Sequence, residues 1–118
     1  MNLQAESAPG RNLFTAYGEG WVEVNAKRHA QSLVVLPERV IEGWTAAKAE
    51  ALELADFEFL ATLDAEVILL GAPFPAPALL APLIRARKAL EPMPAPAACR
   101  TYNVLATEGR KVAAALIL

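Results

Sequence analysis

The only cysteine of this chain and a set of hydrogen-bonding side chains fall within nine residues, AACRTYNVL, where Cys99, Arg100, Tyr102 and Asn103 stand close together. If a helix opens near residue 97, its partial positive charge and the adjacent Arg100 would both lower the thiol pKa and favour the nucleophilic thiolate. A nucleophile also needs a base and an orienting group. The only imidazole, His29, is far away in sequence. The competing reading is architectural. Cys99 is then a small buried packing residue, Tyr102 fills the core, Arg100 pairs with a carboxylate such as Glu108, and Asn103 caps a loop.

Other chemistries find less support. The one histidine, His29, and the one cysteine stand seventy residues apart and no pair has metal-ligand spacing, so no metal is expected. His29 lies in the polar run NAKRHAQ and reads as a surface turn residue. The carboxylate pairs Glu38/Glu42 and Asp64/Glu66 fall on turns, where such pairs are ordinary surface features. Gly71-Ala72-Pro73 follows an apolar run as a phosphate loop would. Phosphate loops work through successive backbone N–H groups, however, and Pro73 and Pro75 have none. No Lys-Ser/Thr follows, which excludes a P-loop. No residue is assigned a catalytic role and no cofactor is expected.

Composition narrows the class. A length of 118 residues suits one domain, and 55% apolar residues argue against disorder. Eleven basic against thirteen acidic residues give a net charge of −2, which offers nothing to nucleic acid. Arg85, Arg87 and Lys88, the densest basic cluster, read as the solvated side of a helix. One cysteine asks for no oxidising compartment, and no run is long enough to insert in a membrane. A soluble cytoplasmic protein is expected, with residues 1–11 a loose lead-in and residues 12–118 a single α/β domain.

The elements follow from pattern. Phe14, Tyr17, Trp21, Val22 and Val24 surround Gly18-Glu19-Gly20 as an N-terminal antiparallel hairpin. SLVVL (32–36) and EVILL (66–70) read as strands buried on both faces, and Val40-Ile41 as a short strand. Residues 45–63 have high helix propensity, clearest where Leu54, Phe57, Leu60, Ala61 and Leu63 make one face. Leu79, Leu80, Leu83, Ile84 and Leu90 predict a helix whose start Pro82 complicates. Residues 90–93 suit a strand and residues 94–96 a rigid connector. Residues 97–107 predict a helix with Ala98, Tyr102 and Leu105 on one face, stopped at Gly109. Residues 112–118 form the last strand. The alternation of strands and helices in the second half predicts an α/β sandwich around a mostly parallel sheet. Ligands of such sheets sit beyond the carboxyl ends of the parallel strands. That places a candidate binding cleft between residues 71–75 and the Cys99-Arg100 step, with Gly71, Cys99, Arg100, Tyr102 and Asn103 as its residues.

AACRTYNVL followed by EGRKVAAALIL, with SLVVLPERVIEGW, DFEFLATL and EVILLG upstream, resembles a domain-of-unknown-function family with the Mth-type fold. Its members include mitochondrial respiratory complex I assembly factor three and the adipogenesis-associated Mth-domain protein. The resemblance implies a three-layer α/β fold with a mixed central sheet, and an irregular segment over residues 45–53 in place of helix. The mitochondrial member looks like a non-catalytic assembly protein, so the resemblance implies a protein-binding or assembly module with an unidentified protein partner. A homodimer is compatible with this. The alternative is a small-molecule or anion binder, or an enzyme, using the cleft. The family often reads Gly-Thr-Gly where this chain has Gly71-Ala72-Pro73, and Asp-Thr where it has Ala95-Pro96. Both changes remove polar groups from the cleft.

Overall fold

Apolar runs with no polar face must be covered on both sides. The computed structural model describes residues 10–45 and 48–118, and in it three such runs lie side by side in one sheet. Strands β4 (Leu33–Leu36), β5 (Arg39–Glu42), β6 (Val67–Gly71), β7 (Ala89–Pro92) and β8 (Val112–Leu116) form this main sheet in the order β5-β4-β8-β6-β7. β4 is antiparallel to both β5 and β8, whereas β6 is parallel to both β7 and β8. Strands β1 (Phe14–Gly18), β2 (Trp21–Val24) and β3 (Lys27–His29) form a separate antiparallel sheet. The helices are α1 (Leu54–Ala61), α2 (Ala81–Arg85) and α3 (Ala95–Thr107).

Strand alternation divides the interior into two cores. Leu33, Val35, Leu69, Val112, Ala114 and Leu116 face α3 and the small sheet. Val34, Leu36, Ile68, Leu70, Ala113 and Ala115 face α1 and α2. The result is a three-layer α/β fold with a mixed sheet. The three alanines of β8 are fully buried; their small side chains let the layers approach closely at the sheet centre.

Connections set the rim. The chain leaves β6 for α2 on one face and leaves β7 for α3 on the other. Neighbouring strands whose exits diverge in this way leave a crevice at their carboxyl ends. β7 is also a border of the sheet. Its Ala89 N–H donates to the Glu66 carbonyl and the following Met93 N–H to the Leu70 carbonyl, both toward β6. By alternation Leu90 and Pro92 direct their backbone groups outward, and Pro92 has no N–H to offer a further strand.

Several elements differ from expectation. His29 is a buried residue of β3, opposite Val22, with Nδ1 3.1 Å from Glu42 Oε1. The buried face of β2 continues across the pair and takes the imidazole with it. The helix expected over residues 79–90 is a 3-10 turn, Pro77–Leu80, followed by the five residues of α2. Pro77 and Pro82 each occupy a first turn, and Arg87 at φ 56° ends the segment. Leu90 belongs to β7. Lys88 is not part of a solvated face: its Nζ donates to the carbonyls of Leu63 (2.6 Å) and Ala65 (2.8 Å), holding the turn after α1, while Arg85 and Arg87 are exposed. α3 begins at Ala95, with Pro96 in its first turn.

The segment before α1 is irregular apart from a 3-10 turn, Ala49–Ala51, and residues 46 and 47 lie outside the described residues. α1 starts with a reciprocal capping box between Glu53 and Asp56. α3 stops as expected: Gly109 has φ 82°, its N–H donates to the Ala106 carbonyl, and the Arg110 N–H donates to the Leu105 carbonyl. Of the expected lead-in, residues 1–9 lie outside the described residues. Arg11 Nη1 donates to the Ala106 carbonyl.

The β2–β3 turn holds Asn25 at φ 49° and Ala26 at φ 70°. Asn suits this conformation but Ala does not. Ala26→Gly removes a Cβ penalty of about 1–2 kcal/mol and adds roughly 0.5–1 kcal/mol of unfolded-state entropy. Urea denaturation is expected to show a net stabilisation of about 0.5–1 kcal/mol.

Candidate functional site

The two loops at the carboxyl ends of β6 and β7 meet at one rim. They enclose an open groove of about 600 Å³ lined by Gly71, Pro73, Phe74, Pro92, Met93 and Ile117, with Ala72, Pro94 and Ala95 between them. No lining side chain is ionisable, nucleophilic or a strong hydrogen-bond donor. The loop N–H groups of Ala72 and Met93 both donate to the Leu70 carbonyl, and the prolines contribute none. Phe74 stands at the mouth, 67% exposed.

Gly71 lies between the Leu116 side chain and the start of α3. A Cβ built on it would lie 2.8 Å from Leu116 Cδ2 and 3.5 Å from Ala95 Cα. The distance to Ala95 is an ordinary contact, so what the missing side chain spares is a shift of the Leu116 methyl group.

Of the residues expected at the cleft, Gly71 lines this groove. Cys99, Arg100, Tyr102 and Asn103 lie outside its lining, turned toward the core and the small sheet. Cys99 is fully buried. Burial pushes its thiol up from 9.0 to about 12, against the smaller lowering effect of Arg100. The helix start and the arginine that could activate a thiol are thus outweighed by desolvation. Arg100 Nη1 donates to Tyr17 Oη at 2.7 Å, and its guanidinium stands 5.9 Å from the Tyr17 ring centre; Tyr17, not Glu108, is its partner. Tyr102 is fully buried, donates to the Asn12 carbonyl at 2.8 Å and meets Phe14 edge to face at 5.2 Å. Its burial also raises the phenol pKa. Asn103 accepts from the Phe14 N–H at 2.9 Å and donates to the Phe14 carbonyl at 2.8 Å. All three polar side chains bind α3 to β1 or the segment leading into it.

Met93 was not anticipated from sequence, and Phe74 was included only as part of the 71–75 loop, not as a site residue. An aromatic residue between two prolines in a loop has no periodicity to place it in a core, and that absence is the one signal that could have singled out Phe74. His29 and Glu42, joined across the two sheets, were also missed as a pair. Among the described residues no group of three or more His, Cys, Asp or Glu could hold a metal ion, and no helix is long and apolar enough to cross a membrane.

A model of the family described as "Protein of unknown function (DUF498/DUF598)" matches residues 14–117. Among solved structures, the chain is similar to a Bordetella parapertussis protein: 32% identity over 94% of this chain and 98% of that one, TM-score 0.84. It is similar to a Xanthomonas campestris protein at 35% identity over 99% and 92%, TM-score 0.80. A Bordetella pertussis protein described as a Mth938-like domain matches at 29% identity over 99% and 92%, TM-score 0.79. No curated protein matches the chain.

Three outcomes follow. Asn103→Ala leaves the N–H and carbonyl of Phe14 unpaired at a partly buried seam, and should cost about 2–3 kcal/mol in urea denaturation. Native Cys99 should resist iodoacetamide at pH 8 and react once the chain is unfolded. Because both Cys99 and Tyr102 titrate higher in the fold, their contribution is complete below pH 9.0 and is lost as pH rises toward 12. Thermal midpoints measured over that range should fall.

Proposed function

The chain belongs to the family of proteins of unknown function DUF498/DUF598, and on that premise we propose that it is a non-catalytic protein-binding or assembly module. The observation that carries this reading is the chemistry of the rim groove: apolar, concave, and without a group that moves protons, attacks a carbonyl or holds an anion. Such a surface recognises side chains by shape and apolar contact, and an exposed aromatic at its mouth is the kind of residue that anchors protein interfaces. Fold alone would not carry the reading, since one fold hosts many activities. The partner is a protein that presents an apolar side chain to the groove. A second copy of this chain is one form such a partner takes. The reading is of a cytoplasmic protein, in keeping with a single free cysteine that asks for no disulfide.

The test is Phe74→Asp. Phe74 is largely exposed, so the variant should keep its thermal midpoint within about 1–2 °C, as a surface change does. Affinity capture from the native host should recover a reproducible partner with the natural chain and lose it with the variant. Light scattering of both proteins identifies the case in which that partner is another copy. Equal recovery with both, or turnover of a metabolite by the purified chain, overturns the reading.

A further inference from the structure

At the other end of β8 from the groove, the fold assembles four cationic side chains from segments far apart in sequence. Arg11, Arg39, Arg110 and Lys111, together with the carboxylates of Glu38 and Asp64, line a cavity of about 270 Å³. Four positive and two negative groups leave this lining with an excess of two positive charges, on a chain whose net charge is −2.

Two of the cations are already engaged. Arg11 Nη1 donates to the Ala106 carbonyl and offsets the negative end of α3. Lys111 Nζ lies 3.3 Å from Asp64 Oδ1. Arg39 and Arg110 have no carboxylate within ion-pair distance among the described residues. The Gly109 and Arg110 N–H groups are spent on capping α3, so recognition here falls to side chains. Guanidinium groups bind planar or tetrahedral oxyanions through paired N–H donors. A phosphate monoester carries about −1.5 to −2 charge at neutral pH, which matches the excess; a single carboxylate does not. The volume lies just below the usual range for small-molecule pockets, which suits a phosphate group on a small body.

We propose that this pocket binds a small phosphorylated molecule, with Arg39 and Arg110 holding the phosphate oxygens and Arg11 and Lys111 contributing to the positive field. The site is independent of the rim groove, since the two flank opposite ends of β8.

Inorganic phosphate is the probe. Amide chemical shifts of the isotope-labelled full chain are followed during titration, at ionic strength held constant with chloride and in parallel with succinate. Saturable shifts at residues 39, 110 and 111 are expected, with none around Phe74. Affinity should fall about tenfold in each of Arg39→Gln and Arg110→Gln, the loss of one charge-assisted hydrogen bond. Both residues are exposed, and an otherwise unchanged spectrum verifies that each variant folds. The proposal is overturned by non-saturating shifts, by succinate binding as tightly as phosphate, or by unchanged phosphate affinity in the double variant.

Discussion

The carboxamide of Asn103 closes the border of β1, one end accepting the Phe14 N–H and the other donating to the Phe14 carbonyl. A side chain thus does what a neighbouring strand would do, and the small sheet needs no direct pairing with the main one. Tyr102 and Arg100, on the same helix, fix the seam at two further points. Without this polar seam the apolar contacts of Phe14, Tyr17, Val22 and Val24 with α3 would leave the small sheet free to slide, because hydrophobic contact has little directional preference. The helix packs on the main sheet with Ala98, Cys99 and Ala106, residues small enough to let it lie close.

From that arrangement the rim follows. α3 covers one face of the main sheet and the shorter helices the other, so the chain must leave β6 and β7 in opposite directions. The loops that begin those departures are rich in proline and stiff, and they meet over Ile117. The same β8 that ends in this apolar corner begins among charged residues at Lys111. A single buried strand therefore separates two surfaces of contrasting chemistry.

Much of this was legible in the sequence. Apolar runs such as SLVVL and EVILL have no polar face and so declare strands buried on both sides. The spacing of Ala98, Tyr102 and Leu105, ended by Gly109, declares a helix and its stop. The hidden parts depend on contacts distant in sequence. His29 reads as a turn residue until β3 is known to pair with β2 and to carry Val22's buried face across. Lys88 reads as a surface cation until the chain turns back to bring the carbonyls of Leu63 and Ala65 to it. The stripe at residues 79–90 has helical spacing, yet two prolines and a left-handed Arg87 break it, because local backbone geometry overrides side-chain periodicity. At the candidate site Gly71 lines the rim groove. The roles of Arg100 and Asn103 could not be read before β1 was known to lie along α3, since a helix surface looks the same whether it meets solvent or a sheet.

The proline that ends β7 has a wider effect. Growth of ordered aggregates and exchange of strands between molecules both require a border with donors and acceptors in register along its length. Here that sequence of groups is interrupted at Pro92, beside an exposed apolar corner that would otherwise invite such stacking. Along β7 the molecule can therefore keep a sticky hollow without offering, beside it, an unbroken backbone template on which fibrils extend.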